Sequence, residues 1–332
     1  MGTKRLLVTG GSGFIGTSLV ESFLTAGHEV LSVDIGEPQN HRHDKVFEKI
    51  DILDLTALTK TFSDFAPTHV VHLAARADLN EKKDVQGYRT NVDGVENVVR
   101  AVSGQPSVTK CVFASTKLVC PTDYRPESDD DYCPNTLYGQ SKVMGEKIVK
   151  SSETMQCHWC IVRPSSIWGP WSWLPHIPYG RFFVMIAEGR YFHPGGIDPP
   201  KAFGYVGNTV FQIEKLLDAP GHQIHRKVFY LADYDVLKIS DWANMISSKL
   251  SNKKLRTLPW PAIYLLAWMG DVMKFFGMKA PPLTSFRLNN IRADTSGIPL
   301  EPTKSITGPL PYSVEQGVEE TIAWLRTQGL IL

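Results

Sequence analysis

Short apolar runs alternate with longer amphipathic stretches through the first half of the chain. The run at 5–9 is rich in strand-forming residues, and the stretch at 14–26 has the spacing of a helix that ends at Gly27. The same alternation then repeats. It predicts strands at 29–33, 45–50, 69–75, 110–115, 158–163 and 227–234, and helices at 55–65, at 84–102 and around 138–142. This order is typical of an α/β fold, a doubly wound parallel sheet covered by crossover helices.

Periodicity weakens after the strand at 158–163, where a stretch rich in Pro and Gly runs to Pro200. We interpret this stretch as the start of a smaller domain that closes over a ligand, and we expect the strand at 227–234 to return to the main sheet. The predicted division is a first domain over 1–172 with a return segment near 203–237, and a smaller α/β substrate-binding domain over 173–202 and 238–332.

Composition excludes several classes of function. A formal net charge of +1, with no run of Lys and Arg interleaved with aromatics, gives no support for nucleic-acid binding. Five cysteines, an odd number, indicate reduced thiols. Cys157 and Cys160 lie on a predicted strand that points them to opposite faces, so we expect core packing and no metal. The first strand starts so near Met1 that no signal peptide fits, and we expect a cytoplasmic protein.

The most lipid-like segment is 260–276. Asp271 and Lys274 interrupt it before it reaches the ~20 apolar residues that a membrane-spanning helix needs. We therefore expect a buried or dimer-facing helix, with peripheral membrane contact as the alternative.

Three glycines follow the first predicted strand at the spacing of a phosphate-binding turn. Gly10 permits the tight turn, Gly13 lets the backbone approach a pyrophosphate, and Gly16 lets the helix pack on the sheet. Phe14 and Ile15 open that helix, whose first N–H groups can bind the anion. The alternative is an ordinary strand-to-helix turn.

Asp34 ends the second predicted strand, about 20 residues beyond the glycines, where a carboxylate binds both hydroxyls of an adenosine ribose. The glycines and Asp34 together predict a Rossmann dinucleotide-binding domain. Because a carboxylate repels the 2′-phosphate of NADP, the expected cofactor is NAD. Arg42 is the nearby basic candidate for a phosphate partner, and we interpret it as a solvated loop residue.

Tyr138 and Lys142 lie four residues apart on a predicted helix and therefore share one face. One close positive charge at an effective dielectric of ~20 supplies about 4 kcal/mol, enough to move a phenol pKa from ~10 toward 7. We therefore expect Lys142 to lower the pKa of Tyr138. The spacing alone is not specific, and the surrounding motifs decide its meaning.

These motifs together resemble the extended short-chain dehydrogenase/reductase family, the group that contains NAD-dependent sugar epimerases and dehydratases. The resemblance spans nearly the whole chain. It rests on the three glycines, Asp34, Asp51-Ile52, His72-Leu73-Ala74-Ala75, Asn91, Ser115-Thr116, Tyr138 with Lys142, and Arg163-Pro164-Ser165-Ser166-Ile167-Trp168-Gly169-Pro170.

The resemblance implies roles for these residues. Tyr138 would be the acid/base at a carbinol or carbonyl oxygen, Thr116 would hydrogen-bond the same oxygen, and Lys142 would bond the nicotinamide ribose. Asn91 would belong to the surrounding network, or serve a helix N-terminal or structural role. The implied cofactor-binding residues are Gly10, Gly13, Phe14, Ile15, Gly16, Asp34, Asp51, Ile52, Leu73, Ala74, Ala75, Asn91, Tyr138, Lys142, Pro164 and Ser166. Relatives usually form a homodimer through the helix at 84–102 and the helix bearing Tyr138, and we expect a dimer.

The substrate is predicted from positions where this chain departs from the dehydratase pattern, and from basic residues that could bind a diphosphate. Sugar dehydratases follow the catalytic Thr with an Asp-Glu pair, whereas Lys117 and Leu118 occupy those places here, which disfavours dehydration. Epimerisation at C4 of a nucleotide-diphosphate sugar, through a transient keto intermediate, remains compatible. The substrate-binding candidates are Lys117, together with Arg287 and Arg292, whose guanidinium forks match a diphosphate.

Two alternatives stay open. The run Tyr205-Val206-Gly207-Asn208 and the apolar 260–276 segment also resemble the 3β-hydroxysteroid dehydrogenase-like branch, which implies an NAD(P)-dependent oxidoreductase of a hydrophobic alcohol or ketone. A catalytically silent NAD-binding scaffold is the alternative of another class. The intact set of Thr116, Tyr138 and Lys142 argues against the scaffold.

Overall fold

The computed structural model describes residues 2–172, 178–250, 255–278 and 283–332, without the side chains of residues 178, 286 and 287. Its strands are β1 (Arg5–Thr9), β2 (Glu29–Asp34), β3 (Phe47–Lys49), β4 (His69–His72), β5 (Lys110–Ala114), β6 (His158–Pro164), β7 (Ser166–Trp168), β8 (Phe192–Pro194), β9 (Phe203–Tyr205), β10 (Lys227–Leu231) and β11 (Arg256–Leu258). Its α-helices are α1 (Phe14–Thr25), α2 (Leu55–Phe65), α3 (Asp93–Ser103), α4 (Leu137–Ser151), α5 (Pro178–Ala187), α6 (Val206–Asp218), α7 (Gly221–Ile224), α8 (Ile239–Leu250), α9 (Trp260–Phe275), α10 (Ser285–Arg292), α11 (Glu301–Thr307) and α12 (Val314–Thr327).

A parallel sheet of seven strands, in the order β3-β2-β1-β4-β5-β6-β10, forms the centre of the described residues. The strands are nearly continuous apolar runs because helices cover both faces of the sheet. β10 pairs with β6 in parallel, which confirms the predicted return of the chain to the main sheet. The doubly wound Rossmann fold is therefore confirmed.

The sheet separates two hydrophobic cores. Cys160 on β6 packs in the core that contains Trp168 and Trp242, while Cys157 packs in the core on the other face. The two thiols thus lie on opposite faces of the sheet, as the strand period predicted.

The prediction of one continuous helix over 84–102 is wrong. A 3-10 helix spans Val85–Asn91, and α3 begins only at Asp93. Between them Val92 has φ −117° and ψ −71°. The fully buried side chain of Asn91 fixes the break, because its amide accepts from the backbone N–H of Arg76 at 2.8 Å and donates to the Arg76 carbonyl at 3.0 Å.

The second half of the chain adds two small parallel pairs, β7 with β9 and β8 with β11. α6 packs on α1, so this half contacts the helix that follows the glycine turn. Trp242 of α8 is fully buried among aromatic rings, including Trp168 and Phe203 at centroid distances of 5.0 and 4.9 Å. The weak sequence periodicity of this half of the chain did not predict its aromatic core.

Of the two expectations for α9, a buried or a dimer-facing helix, the first is wrong within a single chain, and the second stays a prediction. Only a narrow stripe, Ile263, Ala267 and Gly270, is buried, and its first two residues pack against Leu288 of α10. Most of the other large apolar side chains are exposed, and we call these exposed residues the α9 apolar face: Tyr264, Leu265, Leu266, Trp268, Met269, Met273, Phe275 and the adjoining Phe276. Among the helices that the structure describes, none has the length and apolar character required to cross a bilayer.

Candidate active site

Four neighbouring strands bring the predicted motifs to one edge of the sheet. β1, β4, β5 and β6 are adjacent and parallel, so their carboxyl ends meet there. The segments that follow them are the glycine turn, Leu73 to Ala75, Ser115-Thr116, and Ser165-Ser166. Ligands of open α/β sheets bind in the crevice outside these strand ends.

At two positions of the glycine turn the fold itself requires glycine. Gly10 has φ +78°, and a Cβ there would lie 2.5 Å from the backbone N of Ala74. A Cβ on Gly16 would lie 2.2 Å from the carbonyl oxygen of Gly10. A Cβ on Gly13 would meet only that same oxygen, at 3.2 Å. Gly13 therefore leaves open space beside the N-terminus of α1, where Phe14 and Ile15 lie and no side chain caps the helix.

Asp34 lies at the end of β2 and faces the same turn. Its Oδ2 accepts from the backbone N–H of Ser12 and its Oδ1 from that of Gly36, each at 3.1 Å. Burial raises the pKa of this carboxyl group, and the two backbone bonds oppose the shift. Arg42 is exposed, 3.6 Å from Glu21, as predicted for a solvated residue, but it lies on a 3-10 helix, His41–Val46, and not in a loop.

Asp51 and Ile52, two of the expected cofactor-binding residues, differ in exposure. Asp51 is exposed, and its Oδ1 accepts from the N–H of Leu53 at 2.9 Å. Ile52 is buried, and its side chain fills the space beside Gly94 of α3. Ile52 therefore packs as a core residue, whereas Asp51 presents a carboxylate to solvent.

Tyr138 and Lys142 both lie buried on α4. The helix begins beside them because the side chain of Thr136 accepts from the N–H of Gly139 at 3.0 Å. The Thr116 side chain acts on the Tyr138 hydroxyl and lowers the pKa of that group, while Lys142 Nζ donates to the carbonyl of Ala114 at 2.6 Å. The predicted catalytic residues are therefore brought together, with Thr116 and Ala114 at the end of β5.

The expected direction of the tyrosine pKa is wrong. Burial raises the pKa of Tyr138 to about 12, although the Thr116 side chain acts in the opposite direction. Burial also lowers the pKa of Lys142 to about 8. Removal from water is the largest cause of the shift in the Tyr138 pKa, and Lys142 is not among its causes. The phenol is consequently protonated at neutral pH in the ligand-free protein.

Asn91 connects the catalytic helix to the loop after β4. Its Nδ2 donates to Ser141 Oγ at 2.9 Å, and Ser141 Oγ donates to the Tyr138 carbonyl at 2.7 Å. These bonds, with those to Arg76, are to the protein. We infer that Asn91 positions Ala75 and Tyr138 relative to each other, and its direct contact with the cofactor stays a prediction.

Lys117 is a buried cation directly after Thr116. No hydrogen bond or ion pair from its ammonium occurs within the residues described. Burial lowers its pKa to about 8, and the nearby Lys201 contributes to the shift. Lys201 Nζ donates to the carbonyls of Asn290, at 2.8 Å, and Ala293. Lys201 was not predicted as a site residue from the sequence.

Of the two predicted substrate-binding arginines, only Arg292 has a described side chain. Arg292 is exposed, donates to the Tyr264 hydroxyl at 2.6 Å, and lies over the Trp260 ring at 5.5 Å from its centroid. It therefore packs on α9. The side chain of Arg287 lies outside the described residues.

Buried hydroxyl groups without partners identify further site residues. Ser12 Oγ, Ser115 Oγ and Ser165 Oγ are buried with no hydrogen-bond partner in the described ranges. They lie after β1, β5 and β6, along the edge where a dinucleotide would bind. Ser166, in contrast, hydrogen-bonds Tyr179. Polar atoms left unpaired in this way fit an extended ligand with many hydroxyl and phosphate oxygens.

A family model agrees with this arrangement. The model described as "NAD dependent epimerase/dehydratase family" matches residues 6–228, and the chain belongs to that family. The family is NAD-dependent, and NAD is the cofactor. These findings confirm the family and the cofactor that the motifs indicated.

Individual relatives have diverse activities. The chain is 26% identical over 336 residues to the Escherichia coli O157:H7 N-acetyl-alpha-D-glucosaminyl-diphospho-ditrans,octacis-undecaprenol 4-epimerase, covering 96% of this chain and 95% of that protein. It is 32% identical over 176 residues to a Mycolicibacterium neoaurum 3-beta-hydroxysteroid dehydrogenase, a match that spans about half of each chain. The structure of Bacillus cereus UDP-glucuronic acid 4-epimerase, in complex with UDP-glucuronic acid and NAD, superposes with TM-score 0.74 at 20% identity, covering 97% of this chain and 99% of that one. The last similarity shows the fold.

Proposed function

We propose that the chain epimerises a nucleotide-diphosphate sugar at C4 through a transient keto intermediate. The observation that carries the proposal is that Tyr138 and Lys142 lie buried on one face of α4, with Thr116 acting on the Tyr138 hydroxyl. Such an arrangement can transfer a proton to or from a single oxygen atom of the substrate. It lies at the sheet edge with the partnerless Ser115 and Ser165 hydroxyls.

The residues of this chain would act on the proton of the C4 oxygen. NAD, when bound, supplies the hydride acceptor and donor. Thr116 would hydrogen-bond the sugar oxygen. For the oxidation, Tyr138 would first release its own proton to solvent and then, as phenolate, take the proton of that oxygen; the phenol so formed would return the proton to the keto oxygen during reduction. Lys142, whose pKa is about 8, exchanges between its charged and neutral forms near neutral pH and stabilises the phenolate electrostatically.

Elimination is not supported by the residues after Thr116. A dehydratase needs an acid to protonate the departing hydroxyl and a base to remove the neighbouring proton. Lys117 and Leu118 stand at those places, and leucine has no exchangeable side-chain proton. Chemistry at a single carbon is therefore favoured.

Lys117 supports an anionic substrate. A buried ammonium without a carboxylate partner is costly, and its cost falls when a bound anion pairs with it. Lys201 adds a second positive charge near Lys117. We therefore assign Lys117 to a negatively charged group of the substrate, such as a diphosphate oxygen.

A sugar carried on a lipid diphosphate is the second candidate substrate. The E. coli relative that matches almost the full length is, by its printed name, a 4-epimerase of an undecaprenyl-diphosphate sugar. The α9 apolar face is the feature of this chain that favours such a substrate. A hydroxysteroid substrate has weaker support, because the dehydrogenase relative matches only about half of this chain.

The deciding experiment follows deuterium at C4. The purified protein is incubated with UDP-sugars, and separately with polyprenyl-diphosphate sugars, each deuterated at C4. Our proposal predicts the C4 epimer with deuterium retained and without net NADH formation. Release of stoichiometric NADH would establish a dehydrogenase, and tight NAD binding without turnover of sugars or alcohols would establish a silent NAD-binding protein.

We also propose a homodimer in which α4 and the segment 85–103 meet their counterparts. Met144 on α4 is an exposed apolar residue, consistent with a covered surface in the dimer. Light scattering at micromolar concentration tests the assembly, and a monomeric mass would contradict it.

A further inference from the structure

The α9 apolar face is turned to solvent. Trp268, Phe275 and Phe276 have 62%, 85% and 81% of their surface exposed. The buried stripe Ile263–Ala267–Gly270 is made largely of small residues and needs little room on α10. A surface helix of a soluble protein usually does the opposite and buries its large apolar side chains. Contiguous exposed apolar surface of this kind marks a binding surface.

Charged residues are absent from this arc of α9. At about 100° per residue, the exposed apolar positions from Tyr264 to Leu266 cover about 200° of the helix circumference. The two charged residues of α9, Asp271 and Lys274, project outside that arc. The Asp271 carboxylate accepts a hydrogen bond from the backbone N–H of Ser285 at the start of α10. The face is thus apolar across its width.

Cations surround the same segment in the sequence. Residues 253–279 contain five cationic residues and one carboxylate, whereas the whole chain has a net charge of +1. The described members, Arg256 and Lys274, are exposed. The cations are Lys253, Lys254, Arg256, Lys274 and Lys279, and the carboxylate is Asp271. A positive segment beside an apolar face is complementary to anionic lipid.

Amphipathic side chains border the face. Arg292 is exposed and donates to the Tyr264 hydroxyl, while its guanidinium lies over the Trp260 ring. Tyr, Trp and Arg with an apolar body and a polar end are favoured at the level of lipid headgroups. These contacts place polar ends at one margin of the face.

We propose that the α9 apolar face docks on the surface of an anionic lipid bilayer, with the helix parallel to the membrane plane. A second copy of the chain is a poorer occupant, because a two-fold contact would oppose like charges, the exposed Arg256 and Lys274 of each copy. Docking through α9 does not depend on which sugar is the substrate. It would give the enzyme access to a substrate held in the membrane.

Flotation of the full-length protein with vesicles tests the proposal. Wild type should float with phosphatidylcholine vesicles that contain phosphatidylglycerol, and less in high salt or with phosphatidylcholine alone. W268E/F275E should partition roughly tenfold less or weaker still, since charge replaces buried apolar surface. The matched control, V236E/L79E, alters two exposed apolar residues outside α9 and should float like wild type.

Two further measurements make the result decisive. Brominated acyl chains should quench tryptophan fluorescence in wild type and much less in Trp268→Phe, which should still float. Tyr138→Phe should float normally, so a failed function leaves this test intact. The proposal is overturned if wild type does not float, if W268E/F275E floats equally, or if that variant changes the lipid-free oligomer, which would assign the face to a second copy.

Discussion

Arg163 and Glu146 form a fully buried ion pair between β6 and α4. Arg163 Nη2 lies 2.7 Å from Glu146 Oε2, and Arg163 Nε donates to Glu146 Oε1 at 2.9 Å. Glu146 lies one turn beyond Lys142, and Arg163 precedes the segment 164–166. Tyr230 and Tyr132 complete the network, at 2.8 Å each. The pair therefore fixes α4, which carries Tyr138 and Lys142, against β6.

Glu146→Gln should destabilise the protein by about 3–5 kcal/mol, because Arg163 would then be buried without a countercharge. Urea unfolding measures the change. The matched control is Asp93→Asn, which removes an exposed pair with Arg89 at 3.3 Å and should cost no more than about 0.5 kcal/mol. Equal effects of the two substitutions would mean that the buried pair is not structural.

Tyr138→Phe should lower turnover by about 10²–10⁴-fold and leave NAD affinity nearly unchanged, since only the proton-carrying oxygen is lost. Stopped assays with each candidate substrate and NAD titration by fluorescence measure the two quantities. Tyr124→Phe, at an exposed tyrosine, provides the control and should retain activity. Retained turnover in Tyr138→Phe would refute the assigned mechanism.

Asp34→Asn should weaken NAD binding about tenfold or more and reduce the preference over NADP, because a charge-assisted bond to ribose is lost. Since burial raises the pKa of Asp34, wild-type affinity should also fall as the pH drops and the carboxyl protonates. Titrations with NADH and NADPH at several pH values test both points. Arg42→Ala should change neither affinity; tighter binding of NADPH than NADH by wild type would reverse the assignment.

Gly13→Ala and Gly16→Ala should separate cofactor binding from folding. A Cβ at position 16 meets the Gly10 carbonyl oxygen at 2.2 Å, so Gly16→Ala should destabilise the protein by more than about 2 kcal/mol. Gly13→Ala should remain within about 1 kcal/mol of wild type and yet bind NAD poorly. Thermal unfolding with and without NAD distinguishes these cases. Normal NAD binding by Gly13→Ala would show that the phosphates do not approach this position.

Lys117→Met should stabilise the free protein and weaken substrate binding. The folded-state pKa of Lys117 is about 8 and its usual value 10.5, so the unfolded chain binds more protons between these values. Wild-type stability should therefore rise relative to Lys117→Met as the pH increases from 8 to 10.5, by on the order of 3 kcal/mol. Urea unfolding across this range tests the sign. Lys117→Arg, which keeps the charge, should preserve affinity for an anionic substrate better than Lys117→Met.

Local sequence signals predicted the first half of the fold closely. The strand at 5–9 and the helix at 55–65 have the predicted bounds, because each apolar period is bracketed by turn or capping residues. Asp54, for example, caps α2 by accepting from the N–H of Ala57 at 3.0 Å. The break at Asn91 was not predicted, since it depends on bonds to Arg76 and Ser141 that are distant in sequence.

The site was predicted in its residues and less well in its electrostatics. The motifs identified Thr116, Tyr138 and Lys142 and the structure brings them together. A pairwise charge argument could not include burial, which determines the tyrosine pKa here. Lys201 was overlooked because its proximity to Lys117 arises from tertiary packing. The exposure of α9 could not be predicted from the sequence either, because apolar composition alone does not distinguish a core helix from a surface helix.

The position of β10 beside β6 limits how this chain can be divided. We propose a cofactor-binding part over 1–172 and 203–237, but β10 is contributed after a long excursion from β6. A fragment that stops at residue 172 would leave the hydrogen-bonding edge of β6 bare, and such edges promote aggregation. An expression fragment for the nucleotide-binding half must therefore extend at least through Leu231, and a circularly permuted design would have to keep β6 and β10 in one polypeptide.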